Sequence, residues 1–191
     1  MENILEKIFG ISSKPNGDKA AFITPDGTLV WAWHGDEHRL NDKPAIIRSD
    51  GTEEWYRHGL LHRDNDEPAF VGGKGEGNGD LIWYRNGEKY RDNDLPAIIR
   101  GNGERSWMID GEKHRECDNP AEIWEDGTML WYKRGSLHRS NGPAFVTSDG
   151  TEAWYFEGAL HRDDGPAFIR VILRSISYSV ERLQKITTTK I

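Results

Sequence analysis

Short apolar and aromatic runs alternate with polar, turn-forming clusters along most of this chain. LIWYR (residues 81–85) is one such run; Asn86-Gly87 follows it, then a polar return segment that resumes at Pro96-Ala97-Ile98-Ile99. Aromatic and β-branched residues favour a pleated, half-buried surface. Asn-Gly and Asp-Gly supply the positive φ that tight hairpins need. The pattern predicts hairpins. Proline has no N–H to donate to a ladder, so a kink or bulge is expected at each Pro.

The hairpins are copies of one unit. Its first mark is Asp-Gly or Asn-Gly at 26, 50, 78, 102, 126 and 149, at intervals of 24, 28, 24, 24 and 23 residues. Five positions on stands Trp31, Trp55, Trp83, Trp107, Trp131 or Trp154. Nine positions on stands Gly35, Gly59, Gly87, Gly111, Gly135 or Gly158. His-Arg follows, with Tyr90 replacing His once, and each unit closes on Pro-Ala. The long interval is a Gly-rich insert (residues 72–77), read as a flexible surface loop, and a decayed half-unit, DKAAFIT, occupies residues 18–24. The expected product is an all-β, elongated antiparallel meander of about six hairpin repeats, roughly two strands each.

The ends differ from the array. Residues 1–17, beginning MENILEKIFG, are expected to form a short amphipathic cap. From 171 to 191 the turn signals vanish, and Leu173, Ile176, Val180 and Leu183 fall at helical spacing. This basic tail is expected to be a helical cap or a contact, with residues 18–170 forming the array between.

The period of about 23 residues, the aromatic strand, the Asn-Gly turn and a core such as HRDDGPA (residues 161–167) resemble MORN repeats. They are most similar to the variant arrays of bacteriophages and large DNA viruses. Ordinary MORN units place Gly-x-Gly where this chain carries Pro-Ala. The resemblance covers residues 18–170 and implies a single-sheet architecture and a binding role. A viral protein that blocks or sequesters a host defence protein is the expectation it carries, with an antitoxin-like or structural repeat protein beside it.

Charge sharpens this. The formal net charge is −7, which argues against nonspecific nucleic-acid binding and against an anionic membrane surface. The tail carries Arg174, Arg182, Lys185 and Lys190 against Glu181, a net +3; subtracting +3 from −7 leaves −10 on the rest. A basic protein partner is the natural complement. One cysteine, Cys117, excludes an intrachain disulfide framework and any multi-cysteine zinc site. No signal peptide or membrane span is legible, so a soluble protein of the cytoplasm, the host's if viral, is expected.

The repeated columns are the candidate chemistry. The Trp row reads as core packed against Pro-Ala, or as a partly open aromatic groove. Tyr56, Tyr84, Tyr132 and Tyr155 follow it, and alternation puts them on the opposite face. They are candidates for recognition, or for a second half-buried face. Arg63, Arg91, Arg115 and Arg139 are read either as structural, stacking on aromatics and bonding turn carbonyls, or as a stripe for an anionic partner. An anionic nucleotide clasped by Arg63 and Arg91 is the small-molecule version of that stripe.

The histidines (38, 62, 114, 138 and 161) sit roughly 10 Å apart in their column, too far to converge on one ion at about 2 Å. Five equal copies also do not make one catalytic constellation. The acidic bends, Asp64-Asn65-Asp66-Glu67 and Asp92-Asn93-Asp94, lack the spaced ligands of a calcium loop and read as solvated bends or as partners for the neighbouring Arg. No metal, cofactor or enzymatic activity is expected.

Overall fold

A computed structural model describes residues 22–74, 78–171 and 185–187. They fall into two compact units, the first ending at Gly111 and the second beginning at Glu112. All secondary structure among the described residues is β.

In the first unit, eight short strands form an antiparallel meander in chain order: Phe22–Ile23, Leu29–Val30, Ile46–Ile47, Glu53–Glu54, Phe70–Val71, Leu81–Ile82, Ile98–Ile99 and Arg105–Ser106. Beside it stand the hairpins Ala32–Trp33 with Asp36–Glu37, Tyr56–Arg57 with Leu60–Leu61, and Tyr84–Arg85 with Glu88–Lys89. The second unit repeats the plan. Its meander runs Glu122–Ile123, Met129–Leu130, Phe145–Val146, Glu152–Ala153, Phe168–Val171 and Lys185–Thr187. Its hairpins are Tyr132–Lys133 with Ser136–Leu137, and Tyr155–Phe156 with Ala159–Leu160.

The expected two strands per repeat are each divided, and the division falls at the tryptophan. The return strand leaves the ladder after His-Arg and rejoins it at Ala, extruding the bend opposite Trp. In the first repeat the Trp31 N–H donates to the Ala45 carbonyl, and the Trp31 carbonyl accepts from the His38 N–H. Residues 39–44 therefore project from the sheet, a larger departure than the simple kink expected at proline. Ala45 also donates its N–H to Glu54 of the next repeat. Ala45, Ala69, Ala97, Ala121 and Ala144 are fully buried.

Two kinds of turn close the repeats. At Asp50-Gly51, Arg48 N–H bonds the Thr52 carbonyl and Gly51 N–H bonds the Arg48 carbonyl, with Gly51 at φ 88°. This is a three-residue hairpin whose Gly takes the left-handed position. The opposite turns hold two successive residues at positive φ, as at Asn86 (51°) and Gly87 (86°), the two-residue geometry matched to strand twist.

Residues paired across the ladder share a face. Val30, Ile46, Glu54, Phe70, Ile82, Ile98 and Ser106 thus form one row in the first unit. Ile82, Ala97, Ile98 and Met108 make its buried cluster, with Phe70 and Tyr84 packed against it. In the second unit the row is Glu122, Leu130, Phe145, Ala153 and Phe168.

The expected N-terminal cap and residues 172–184 of the expected tail helix lie outside the described residues. Lys185–Thr187 is a strand rather than helix, antiparallel to Phe168–Val171. Pairing there satisfies backbone groups that a last strand otherwise leaves open. The insert is partly pinned: Gly73 N–H bonds Thr52 Oγ1 and Lys74 N–H bonds the Asp50 carbonyl, while residues 75–77 lie outside the described residues.

Candidate functional site

The arginine column lies over the tryptophan column. Arg63 sits 3.9 Å from the Trp55 ring centre, Arg91 3.8 Å from Trp83, and Arg139 3.9 Å from Trp131. Each guanidinium also donates Nη1 to the proline carbonyl of its own bend, at Pro68, Pro96 and Pro143. Its Nε and Nη2 then grip both carboxylate oxygens of an aspartate one repeat upstream. Arg63 holds Asp42 at 2.8 Å, Arg91 holds Asp66 at 2.9 Å, and Arg139 holds Asp118 at 2.9 Å. The planar fork of Arg fits this two-point contact; a lysine ammonium does not. These arginines hold the carboxyls of Asp42, Asp66 and Asp118 below the usual carboxylate range.

The same upstream bend serves the tryptophan. Trp55, Trp83, Trp107 and Trp131 donate Nε1–H to the carbonyls of Asp42, Asp66, Asp94 and Asp118. Those bends carry two successive left-handed residues, Asn41-Asp42, Asn65-Asp66, Asn93-Asp94 and Cys117-Asp118. Asn and Asp tolerate that conformation better than most side chains. The fifth bend, Ser140-Asn141-Gly142, is one residue shorter and has no aspartate at the gripping position. Arg162 of the sixth repeat accordingly pairs with Asp164 of its own bend, at 2.9 Å, while still stacking on Trp154.

The histidines form a second link between repeats. His38, His62, His114 and His138 accept at Nδ1 the backbone N–H of His58, Asn86, Arg134 and Glu157, at 3.1–3.2 Å. Each donor is the first turn residue of the next hairpin. An Nδ1 that accepts leaves the proton on Nε2. Nε2 meets an acceptor two residues on: Asp64 for His62, Glu116 for His114, Ser140 for His138 and Asp163 for His161. Tyr90 fills the role in the third repeat, its hydroxyl 2.6 Å from Asp92. At His38 that position is Leu40, and Nε2 is buried with no partner among the described residues.

The tyrosines stand on the other face, as alternation requires. Tyr56 donates its hydroxyl to Glu54, a buried carboxylate that also accepts from Arg48. Burial first, then the Glu54 charge, pushes the Tyr56 hydroxyl well above its ordinary value; Tyr84 moves the same way for the same leading cause. Tyr132 has the Lys113 ammonium 5.2 Å from its ring, and Lys113 reaches buried Glu122 at 2.6 Å. Tyr56, Tyr84, Tyr132 and Tyr155 are all half-buried rather than covered.

The structure thus separates the two sets of candidate residues. Arg63, Arg91 and Arg139 are engaged with Trp and Asp, and Arg115 donates to the Pro120 carbonyl. A nucleotide clasped by Arg63 and Arg91 would have to displace Asp42 and Asp66. A cleft of about 180 Å³ between the first two bends is lined by His38, Leu40, Trp55, Arg57, Arg63 and Asp64, among others. Two of its cations already face carboxylates, Arg63 facing Asp42 and Arg57 facing Asp64. Among the described residues, no three His, Cys, Asp or Glu side chains are grouped to hold a metal ion. Buried Glu54 and Glu122 escaped the column reading because they occupy positions that are otherwise apolar in most repeats. Compared with known proteins, the chain matches no protein-family model and no curated relative.

Proposed function

We propose that the array is a non-enzymatic scaffold that binds a protein with a basic surface and occludes it. One observation carries the reading. Across the hairpins, Tyr56 faces Leu61, Tyr84 faces Lys89, Tyr132 faces Leu137 and Tyr155 faces Leu160. None of the eight side chains is buried, and Leu160 is 52% exposed. Each unit therefore presents a run of tyrosine and long side chains on one face, while its Trp, Arg and His columns are held by internal partners. Tyrosine gives contact area with a polar tip and loses little freedom on binding, which suits a protein interface. The chain's acidity adds long-range attraction for a basic partner and repulsion for nucleic acid. Covering that partner's basic surface is how such a protein would block or sequester it.

The test is parallel affinity capture with the wild-type chain and with Tyr56→Ala/Tyr84→Ala/Tyr132→Ala. A saturable partner should be retained by the first, lost by the second, and released as salt is raised. A partner that survives the triple substitution, or is insensitive to salt, overturns the reading.

A further inference from the structure

The junction between the first and second full repeats differs from every other histidine link. We propose that His38 is a proton-operated latch that holds these two repeats together when neutral and releases them when protonated. The other histidines have an acid or hydroxyl to receive Nε2–H; His38 has Leu40. His38 is only 6% exposed, its Nε2 lacks a partner among the described residues, and its Nδ1 accepts the His58 N–H at 3.2 Å. The only site for a second proton is thus the nitrogen that already faces a donor. Adding it sets two N–H groups against each other and breaks the link.

The surroundings oppose the cation as well. The His58 ring stacks on His38, with centres 4.7 Å apart, and Trp33 packs against His34, His38 and His58. From the next repeat, Arg57, His58, His62, Arg63 and Asp64 border this pocket; from the first, His34, Arg39 and Asp42 do. Asp64 is engaged by Arg57 and His62, and Asp42 by Arg63, so neither carboxylate is available to His38. Burial first, then the charges of His58 and Arg57, lower the His38 pKa from 6.5.

The direction of the effect follows. Above pH 6.5 the closed and open junctions are both neutral at His38, and the latch is at full strength. Below it the open junction takes up the proton first, so opening grows by up to about tenfold per pH unit until the closed form is protonated too.

Amide hydrogen exchange, corrected for its intrinsic pH dependence, reads this directly between pH 7.5 and 5. The His58 amide should lose protection by up to about tenfold per pH unit, while the Asn86 amide, held by His62 beside Asp64, falls less steeply. His38→Gln keeps an acceptor without a titrating proton, and should flatten the His58 profile. Leu40→Asp installs the acceptor found in other repeats, which favours the protonated closed form, and should shrink the loss and bring its plateau to higher pH. Parallel loss at His58 and Asn86, or an unchanged His58 profile in either variant, overturns the proposal. Should His38→Gln not fold, the Leu40→Asp profile decides alone.

Discussion

At the scale of one residue, the turns show where the repeat is not at its optimum. The first residue of each two-residue turn is left-handed whatever its chemistry: His34, His58, Asn86, Asp110, Arg134 and Glu157. Only Asn86 and Asp110 suit that conformation, since a longer side chain gains no local hydrogen bond to offset the steric cost. Glu157→Asn should therefore stabilise by about 0.5–1 kcal/mol, because the backbone N–H that bonds His138 is retained. A urea midpoint that stays put or falls would contradict this. The Asn86-Gly87 turn was legible from its own two letters. Glu157-Gly158 was legible only through the glycine column, because Glu carries no turn signal of its own.

At the scale of the element, the bend is the joint. Asp66 holds Arg91 of the following repeat with both oxygens, and its carbonyl receives the Trp83 indole. Asp66→Ala should destabilise by about 1 kcal/mol, modest because the carboxylate is 45% exposed and water competes for it. Arg91→Ala should cost more, since Trp83 also loses its stacked cover. The double variant should fall short of the sum, as two residues sharing one contact do; denaturant curves of the three proteins settle it. An additive result would mean that the grip is weak. Of the two readings that the sequence left open for Arg, the structural one describes Arg91, which stacks on Trp83 and bonds the Pro96 carbonyl. The acidic bend was legible as a partner for a neighbouring Arg, but not which repeat that Arg belongs to. Aligning repeats places Asp66 beside Arg63 in one copy, whereas the contact runs to Arg91 in the next. The division of each strand at Trp was hidden for a related reason: periodicity reports which residues favour a strand, not which backbone they pair with.

At the scale of the whole molecule, acid should act in two separate steps. Arginine holds the carboxyls of Asp42, Asp66 and Asp118 below the ordinary 3.8, so the unfolded chain protonates first as pH falls. The stability these aspartates add is complete well above pH 3.8 and is lost as pH drops past it towards their folded values. His38 acts from pH 6.5 downward and at one junction. The far-ultraviolet circular dichroism should then hold steady from pH 6.5 to about 4.5, while His58 exchange accelerates, and collapse only in stronger acid. A single coincident transition would show that the two are one event. The all-β meander was legible from the repeat; this division of acid response was not, because it turns on Leu40 departing from its column.

The upstream aspartate also bears on how such a gene can grow. A repeat counted from one Asp-Gly turn to the next carries an arginine whose acid is encoded in the copy before it, as Arg139 depends on Asp118. The unit of inheritance and the unit of cohesion are therefore out of phase. Duplicating a long-bend copy in place supplies its own acid and extends the series, whereas behind the short bend at Ser140-Asn141-Gly142 the arginine turns to its own bend, as Arg162 does to Asp164. Copies added upstream of a short bend therefore keep the grip between repeats, and a copy added behind one must find its acid within itself.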